Sequence, residues 1–408
     1  MKHLYALFIT VFLLNSQFIT LRAQNVLVPD SIQISLLTCS PHDEVYSLYG
    51  HTALRVENRQ NGMDVAVNYG MFSFDKPFFV LRFVFGLTDY TMGIVPFENF
   101  CREYEYYGSS VTQQVLNLSP EDKVRILSAL EYNYQPENRV YRYNYFYNNC
   151  TTKAVEIIAD NLNGKIVYSD TVPDGMTFRK MLHSMTKNNP WAQLGNDLLL
   201  GYGADREMTL DEYHFLPHSM LAAIDSAYIV RTDNSKCRAV KDKFVVVEEG
   251  VQVVSKAFPF SPMACSVAFL LLNVLLSFAE WRTKKYFWLY DVFFLFLIGL
   301  AGVIITSMIF SLHPTVSLNA QILLLNPLPL VFGYQAISKQ RRNVFSRFWL
   351  IEILLVSSLL MVYSFGVQVI SPPVLLLALS LLVRCGVKML HNDGLKEKII
   401  TKNILSFR

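Results

Sequence analysis

Polar and apolar positions follow three regimes along this chain, and each predicts a different kind of element. From Ser31 to Thr38, Thr52 to Val56 and Val65 to Tyr69 they alternate, the period of a strand with one face buried. The polar stretch Glu57 to Gly62 reads as a hairpin turn, and Asp43 to Tyr49 as a short helix or turn. After Cys150 the period lengthens: Ala154, Val155, Ile157, Ile158 and Leu162 recur on one helical face, with Gly164 where a C-terminal cap falls. Ser119, Pro120, Glu121 and Asp122 open another helix, which continues through Leu127 and Leu130. Beyond Lys256 come five apolar runs, roughly Phe258 to Ala279, Tyr286 to Ile309, Leu318 to Ile337, Phe348 to Gly366 and Val369 to Val387. Each is long enough to span, since about 20 helical residues rise about 30 Å, the thickness of a bilayer's hydrocarbon core. The expected fold class is an α+β outer domain followed by an all-α bundle of five transmembrane helices.

Composition removes alternatives. At 52% hydrophobic and 17% charged residues, the 408-residue chain is too apolar for an ordinary two-domain soluble protein. A net charge of +3 points to no nucleic-acid partner. Lys2, the apolar run Leu4 to Leu14 and the small Ala23 form the pattern of a secretory signal peptide over residues 1–23. That leaves an outer domain over 24–256, a membrane domain over 257–390 and a tail over 391–408. Arg282, Lys284 and Lys285 follow the first run, Lys339, Arg341, Arg342 and Arg347 the third, and Arg384, Lys388, Lys396 and Lys398 the fifth. The alternate connections, Ser311 to Ser317 and Gln368 to Pro373, carry no Lys or Arg. The positive-inside bias therefore puts the outer domain outside the cytoplasm and the C-terminus within it.

The candidate chemistry lies in two residues of the outer domain. His51 opens the strand-like run GHTALRV, and Cys150 opens the helix-like run NNCTTKAVEII. A helix start supplies unpaired N–H groups and the positive end of the helix dipole, and both lower a thiol pKa. A Cys on a helix and a His on a strand, with a polar third residue on the next strand, is how papain-like enzymes build a thiolate and its base. Here the His precedes the Cys, so the order is permuted. A four-residue turn over Asn58 to Asn61 puts Asn68 across from His51 as the orienting residue, whereas a two-residue turn at Asn61-Gly62 puts Phe72 there. Glu44 is the substitute orienter. Arg139 and Arg142, shortly before Cys150, have the geometry to hold a lipid phosphate or to brace loops. The aromatic stretch from Phe72 to Phe85 is either core or an acyl-facing lip. Cys39 reads as a core thiol, a disulfide partner or a member of the site; Cys101 and Cys237 lie in the same oxidising compartment, and Cys265 and Cys385 serve as small apolar residues. His42, His51, His183, His214 and His218 have no zinc spacing, so neither a metal nor another cofactor is expected.

At these residues the chain resembles a known family. LLTCSPHDEVYSLYGHTALRV, VNYGMFSFD and PENRVYRYNYFYNNCTTK are similar to the extracytoplasmic domain of the Lnb-type lipoprotein N-acyltransferases of Bacteroidota, and the five-span tail resembles theirs. The chain departs from that pattern at His42, where the family has Gly, and at Asn149, where it has Asp. The resemblance implies a circularly permuted NlpC/P60-like, papain-related domain in the periplasm, anchored in the inner membrane and using His51 and Cys150. It also implies the reaction: an acyl chain moves from a phospholipid donor to the α-amino group of a diacylglyceryl-cysteine at a lipoprotein N-terminus. The same dyad would serve an NlpC/P60-like cell-wall peptidase or a membrane phospholipase, and a receptor or scaffold would use neither residue for chemistry.

Overall fold

The computed structural model describes residues 31–72, 77–252 and 258–390. The expected signal peptide and the tail over 391–408 lie outside the described residues. The outer domain is built on a seven-stranded antiparallel sheet. In chain order its strands are β1 (Ile32–Cys39), β2 (His51–Asn58), β3 (Met63–Met71), β4 (Asp89–Pro96), β5 (Val111–Leu116) and β6 (Val140–Arg142), closed by the late strand Val240–Val247. Their spatial order runs from that late strand through β5, β1, β2, β3 and β4 to β6, so β2 is the central strand. A separate three-stranded sheet joins Gly164–Val167, Tyr228–Arg231 and Lys236–Arg238.

The alternation in β1 to β3 predicts one buried face, but both faces are covered. On one side Leu36, Leu54, Val56 and Val67 pack with Ala154, Val155 and Ile158 of the helix Cys150–Ala159 and with Ile126 and Leu130 of the helix Pro120–Tyr134. On the other, Leu37, Ala53 and Ala66 pack with Phe100 and Tyr104 of the helix Phe97–Tyr107. The polar positions of the alternation are paired inside: Gln113 donates to Ser35 Oγ at 2.9 Å, so burial leaves neither as an uncompensated polar group.

Three local expectations change. The β2–β3 turn is Arg59 to Gly62, since Asn58 pairs with Met63. Asn58 and Asn61 side chains accept from the Gln60 and Met63 N–H groups, both at 3.0 Å, and Gly62 takes φ 75°; these contacts set the turn one residue beyond Asn58 to Asn61. Gly164 caps no helix: the helix ends at Ala159, and Gly164 opens the small sheet at φ 142°, where a Cβ would lie 2.2 Å from the Val230 carbonyl. Leu162 is thus beyond the helix, yet still buried in the core. Ser119 does cap its helix, in a box with Asp122, and Pro120 occupies the first turn.

Five helices are long and apolar enough to cross a membrane: Pro262–Thr283, Trp288–Phe310, Ala320–Arg341, Arg347–Ser364 and Pro372–Leu390. The third is interrupted. A short 3-10 turn, Ala320–Leu323, gives way at Leu324 to Pro327 before the helix Leu328–Arg341 begins, because Pro327 and Pro329 supply no backbone donor. Charges bind the first, second and fifth helices: Arg384 and Lys388 reach Asp291 at 2.6 and 2.5 Å and Glu280 at 3.1 and 2.8 Å. A lone charge at bilayer depth costs about 3 kcal/mol or more, so the two-against-two arrangement is what makes these buried groups tolerable.

The outer domain is docked on the bundle. Arg179, fully buried, is bonded to Asp197 and Asp205 and ties the end of the helix Pro190–Leu199 to the turn that follows it. Gln321 and Asn319 donate to the Asp197 and Leu198 carbonyls at 2.6 and 2.9 Å, Gly201 N–H donates to Thr315 O at 2.9 Å, and Val369 N–H donates to Asp205 at 3.1 Å. Both connections that lack Lys and Arg therefore lie against the outer domain.

Candidate active site

His51 and Cys150 meet because the helix Cys150–Ala159 packs across β2 and β3 with its first residue at the end of β2. The two residues that follow them fasten the arrangement: Thr52 Oγ1 and Thr151 Oγ1, both fully buried, are hydrogen-bonded at 2.9 Å. A shift of the helix along the strand would break that bond and strand two buried hydroxyls.

The helix start is held by Asn149. Its Oδ1 accepts from the Thr151 and Thr152 N–H groups at 2.8 and 3.0 Å, and its Nδ2 donates to the Tyr145 and Phe215 carbonyls at 2.8 and 2.9 Å. An ionised Asp could not make the two donations, so this cap uses both ends of the Asn149 amide. The cap takes the N–H groups of Thr151 and Thr152 and not that of Cys150.

His51 Nε2 lies 3.1 Å from Asn68 Oδ1, which leaves Nδ1 as the ring nitrogen available to the thiol. The contact is diagonal. Asn68 stands across from Ala53, and His51 is two residues along the same face, within reach of an extended side chain. Continuing the pairing places Gly70 opposite His51. Gly70 has φ 99°, a conformation that favours glycine, and a Cβ there would meet Cys150 Cβ at an ordinary contact distance of 3.6 Å.

Electrostatics couple the two groups. Burial pushes the Cys150 thiol up, but the charge of His51, its hydrogen bond, the Thr52 N–H and the Thr151 hydroxyl outweigh that and hold it below an ordinary thiol. Burial pushes His51 down, while the Cys150 charge and the hydrogen bonds to Cys150 and Asn68 raise it overall. Each group thus favours the charged form of the other. Tyr90 and Tyr143, stacked at 4.0 Å, flank it; burial, and then the Cys150 charge, push their phenols up, so they stay neutral.

The other expected residues make contacts of their own. Glu44 is exposed at the start of the 3-10 turn Val45–Ser47, and its charge acts on His42 and Tyr46. Arg142 is paired with Asp89 at 2.6 Å and donates to Gly86 O at 3.4 Å, bracing the segment before β4. Arg139 is exposed, and its carbonyl accepts from Met92 N–H at 2.8 Å. Cys39 is buried across from His51, and burial raises its thiol well above the ordinary range. All six cysteines are free. Among the described residues no group of three His, Cys, Asp or Glu could hold a metal ion. Thr52 and Thr151 had a sequence signal, each directly following a dyad residue; Tyr90 and Tyr143 had none.

Comparison with known proteins covers the same two units. Residues 20–184 match the family model described as the Lnb N-terminal periplasmic domain, and residues 253–394 match that of the Lnb transmembrane domain. Together they take in about three quarters of the chain. No curated protein and no solved structure matches it.

Proposed function

We propose that this chain, which belongs to the Lnb family, is a lipoprotein N-acyltransferase that works through a Cys150 thioester. Family membership makes it a multi-pass membrane protein with a periplasmic N-terminal domain and implies a function of the lipoprotein N-acylation type. The mechanism is our reading, and the observation that carries it is the placement of Cys150 at the start of its helix against β2, fastened by the Thr52–Thr151 bond, beside a His51 ring held by Asn68 at 3.1 Å.

In the first half-reaction the Cys150 thiolate attacks an ester carbonyl of a phospholipid. The ester C–O bond breaks, the leaving alkoxide takes the proton of the His51 imidazolium, and a lysophospholipid departs. In the second, the neutral α-amino group of a diacylglyceryl-cysteine attacks the thioester, its proton passes to His51, and the thiolate is expelled. The pair is thereby restored. An α-amino group titrates near about 7.7–8.0, so a sizeable neutral fraction exists at neutral pH. Asn68 orients the imidazole, the Cys150 N–H left open by the cap serves the oxyanion, and Asn149 fixes the helix start. A strand-borne His followed by a helix-borne Cys is the permuted papain-like, NlpC/P60-like order. A cell-wall peptidase or a phospholipase would share the dyad, but five spans that hold the thiol beside a lipid surface favour transfer between two lipid-anchored substrates. The basic connections face away from the outer domain, which supports a cytoplasmic C-terminus in the inner membrane.

The test is the mass of lipoprotein N-terminal peptides from cells with and without this protein. An amide-linked acyl chain that disappears with the protein is expected. Unchanged N-termini, or changed wall peptides instead, would overturn the assignment.

A further inference from the structure

The outer domain touches the bundle at a second place, away from the Arg179 loop. After the second apolar helix, the connection Ser311 to His313 holds the short helix Phe79–Val84 by three hydrogen bonds. Ser311 Oγ donates to Val84 O at 2.7 Å, Leu312 N–H to Phe85 O at 3.1 Å, and His313 Nε2 to Phe83 O at 3.0 Å. These bonds fix the short helix at the level where the spans end. Large apolar side chains stand out from it: Phe78 at its N-cap is 76% exposed and Leu81 48%, as Phe310 and Leu312 at the connection are 78% and 60%, while Arg82 is turned to the Leu87 carbonyl. Phe78 also holds φ 57°, a backbone region disfavoured for a bulky side chain. On a water-facing surface such a group would be a liability. Here it stands beside the connection that ends the second helix, a span whose own surface, Val303 and Ile304 included, is apolar and exposed as a lipid-covered face is.

Behind that surface, aromatic rings lead to the thiol. Phe83 lies 6.2 Å from Tyr143, Tyr143 is stacked on Tyr90, and Tyr90 borders the Gly70 position that Cys150 also borders. We propose that Phe78 and Leu81 form a foot inserted in the outer leaflet, and that the row Phe83, Tyr143 and Tyr90 guides a phospholipid acyl chain from that foot to Cys150. The second half rests on Cys150 accepting an acyl chain; the first does not.

The test uses the full chain in vesicles of phosphatidylethanolamine and phosphatidylglycerol containing a phospholipid with a diazirine in its acyl chain. Irradiation is expected to label the peptide that carries Phe78 and Leu81, along with the spans. Labelled spans without that peptide would overturn the foot. In the same vesicles, Phe78→Ser with Leu81→Ser is expected to slow acylation of Cys150 by at least about tenfold and to leave its alkylation by iodoacetamide unchanged, while Phe78→Leu restores acylation. Unchanged acylation in the double variant would overturn the route. A wild-type protein whose foot is labelled but whose Cys150 is never acylated would leave the foot standing and remove the acyl-enzyme reading.

Discussion

Cys150→Ser is expected to abolish N-acylation, by about 10⁴- to 10⁶-fold, the range seen when a member of a nucleophilic catalytic unit is removed. In the proposed mechanism the nucleophile is a thiolate. The His51 charge, the Thr52 N–H and the Thr151 hydroxyl together overcome burial to depress the thiol, and no such set would ionise a serine hydroxyl, whose pKa lies far higher. Ser is nearly isosteric, and the helix start is held by Asn149 and the Thr52–Thr151 bond, so the variant should fold and insert like wild type. The measurement is the amide-linked acyl mass on lipoprotein N-termini in cells carrying only the variant. Near wild-type acylation would exclude Cys150 as nucleophile.

His51→Ala should be the next most damaging change, costing on the order of 10²- to 10⁴-fold through loss of the general base and acid. It also has a signature that a merely structural histidine would lack. Wild-type Cys150 should react with iodoacetamide at pH values below those at which an ordinary thiol ionises, and that reactivity should fade as the pH drops through its lowered pKa. Without His51 the raising effect of burial is left with less opposition, so the alkylation profile should move to higher pH. Asn68→Ala removes one 3.1 Å hydrogen bond from the imidazole and should give a smaller loss with the same direction of shift. Equal, mild losses for His51→Ala and Asn68→Ala, with no movement of the profile, would make His51 structural.

Much of this arrangement was legible because it depends on local chemistry. Ser119 and Pro120 mark a helix start wherever they precede an apolar periodic run, and the five spans declare themselves by length. The diagonal His51–Asn68 contact was harder to foresee, because it depends on a turn placed by the Asn58 and Asn61 side chains, and a change of one residue in that turn moves every pairing by two. The interruption in the third span could be read from Pro327 and Pro329, but those prolines sit in a run apolar enough to mask them. What sequence could not supply is long-range: that the second face of the central strands, with Leu37, Ala53 and Ala66, would be covered by the helix Phe97–Tyr107, that Gln321 and Gln368 would meet the 197–205 segment, or that Tyr90 and Tyr143 would stack beside the thiol. Each depends on segments brought together only by the complete fold. Arg142, whose place before Cys150 suited a phosphate ligand or a loop brace, has its guanidinium engaged by Asp89.

Trapping the intermediate tests the central claim most directly. Purified protein incubated with phospholipid and no lipoprotein should gain the mass of one fatty acyl group on the peptide carrying Cys150, and hydroxylamine at neutral pH should remove it, as a thioester requires. Addition of a diacylglyceryl-cysteine peptide should move the chain onto the peptide's amine and return free Cys150, the two-step behaviour of ping-pong catalysis. If lipid is hydrolysed while no acyl group can be found on Cys150, transfer through that residue is contradicted and the protein is a phospholipase.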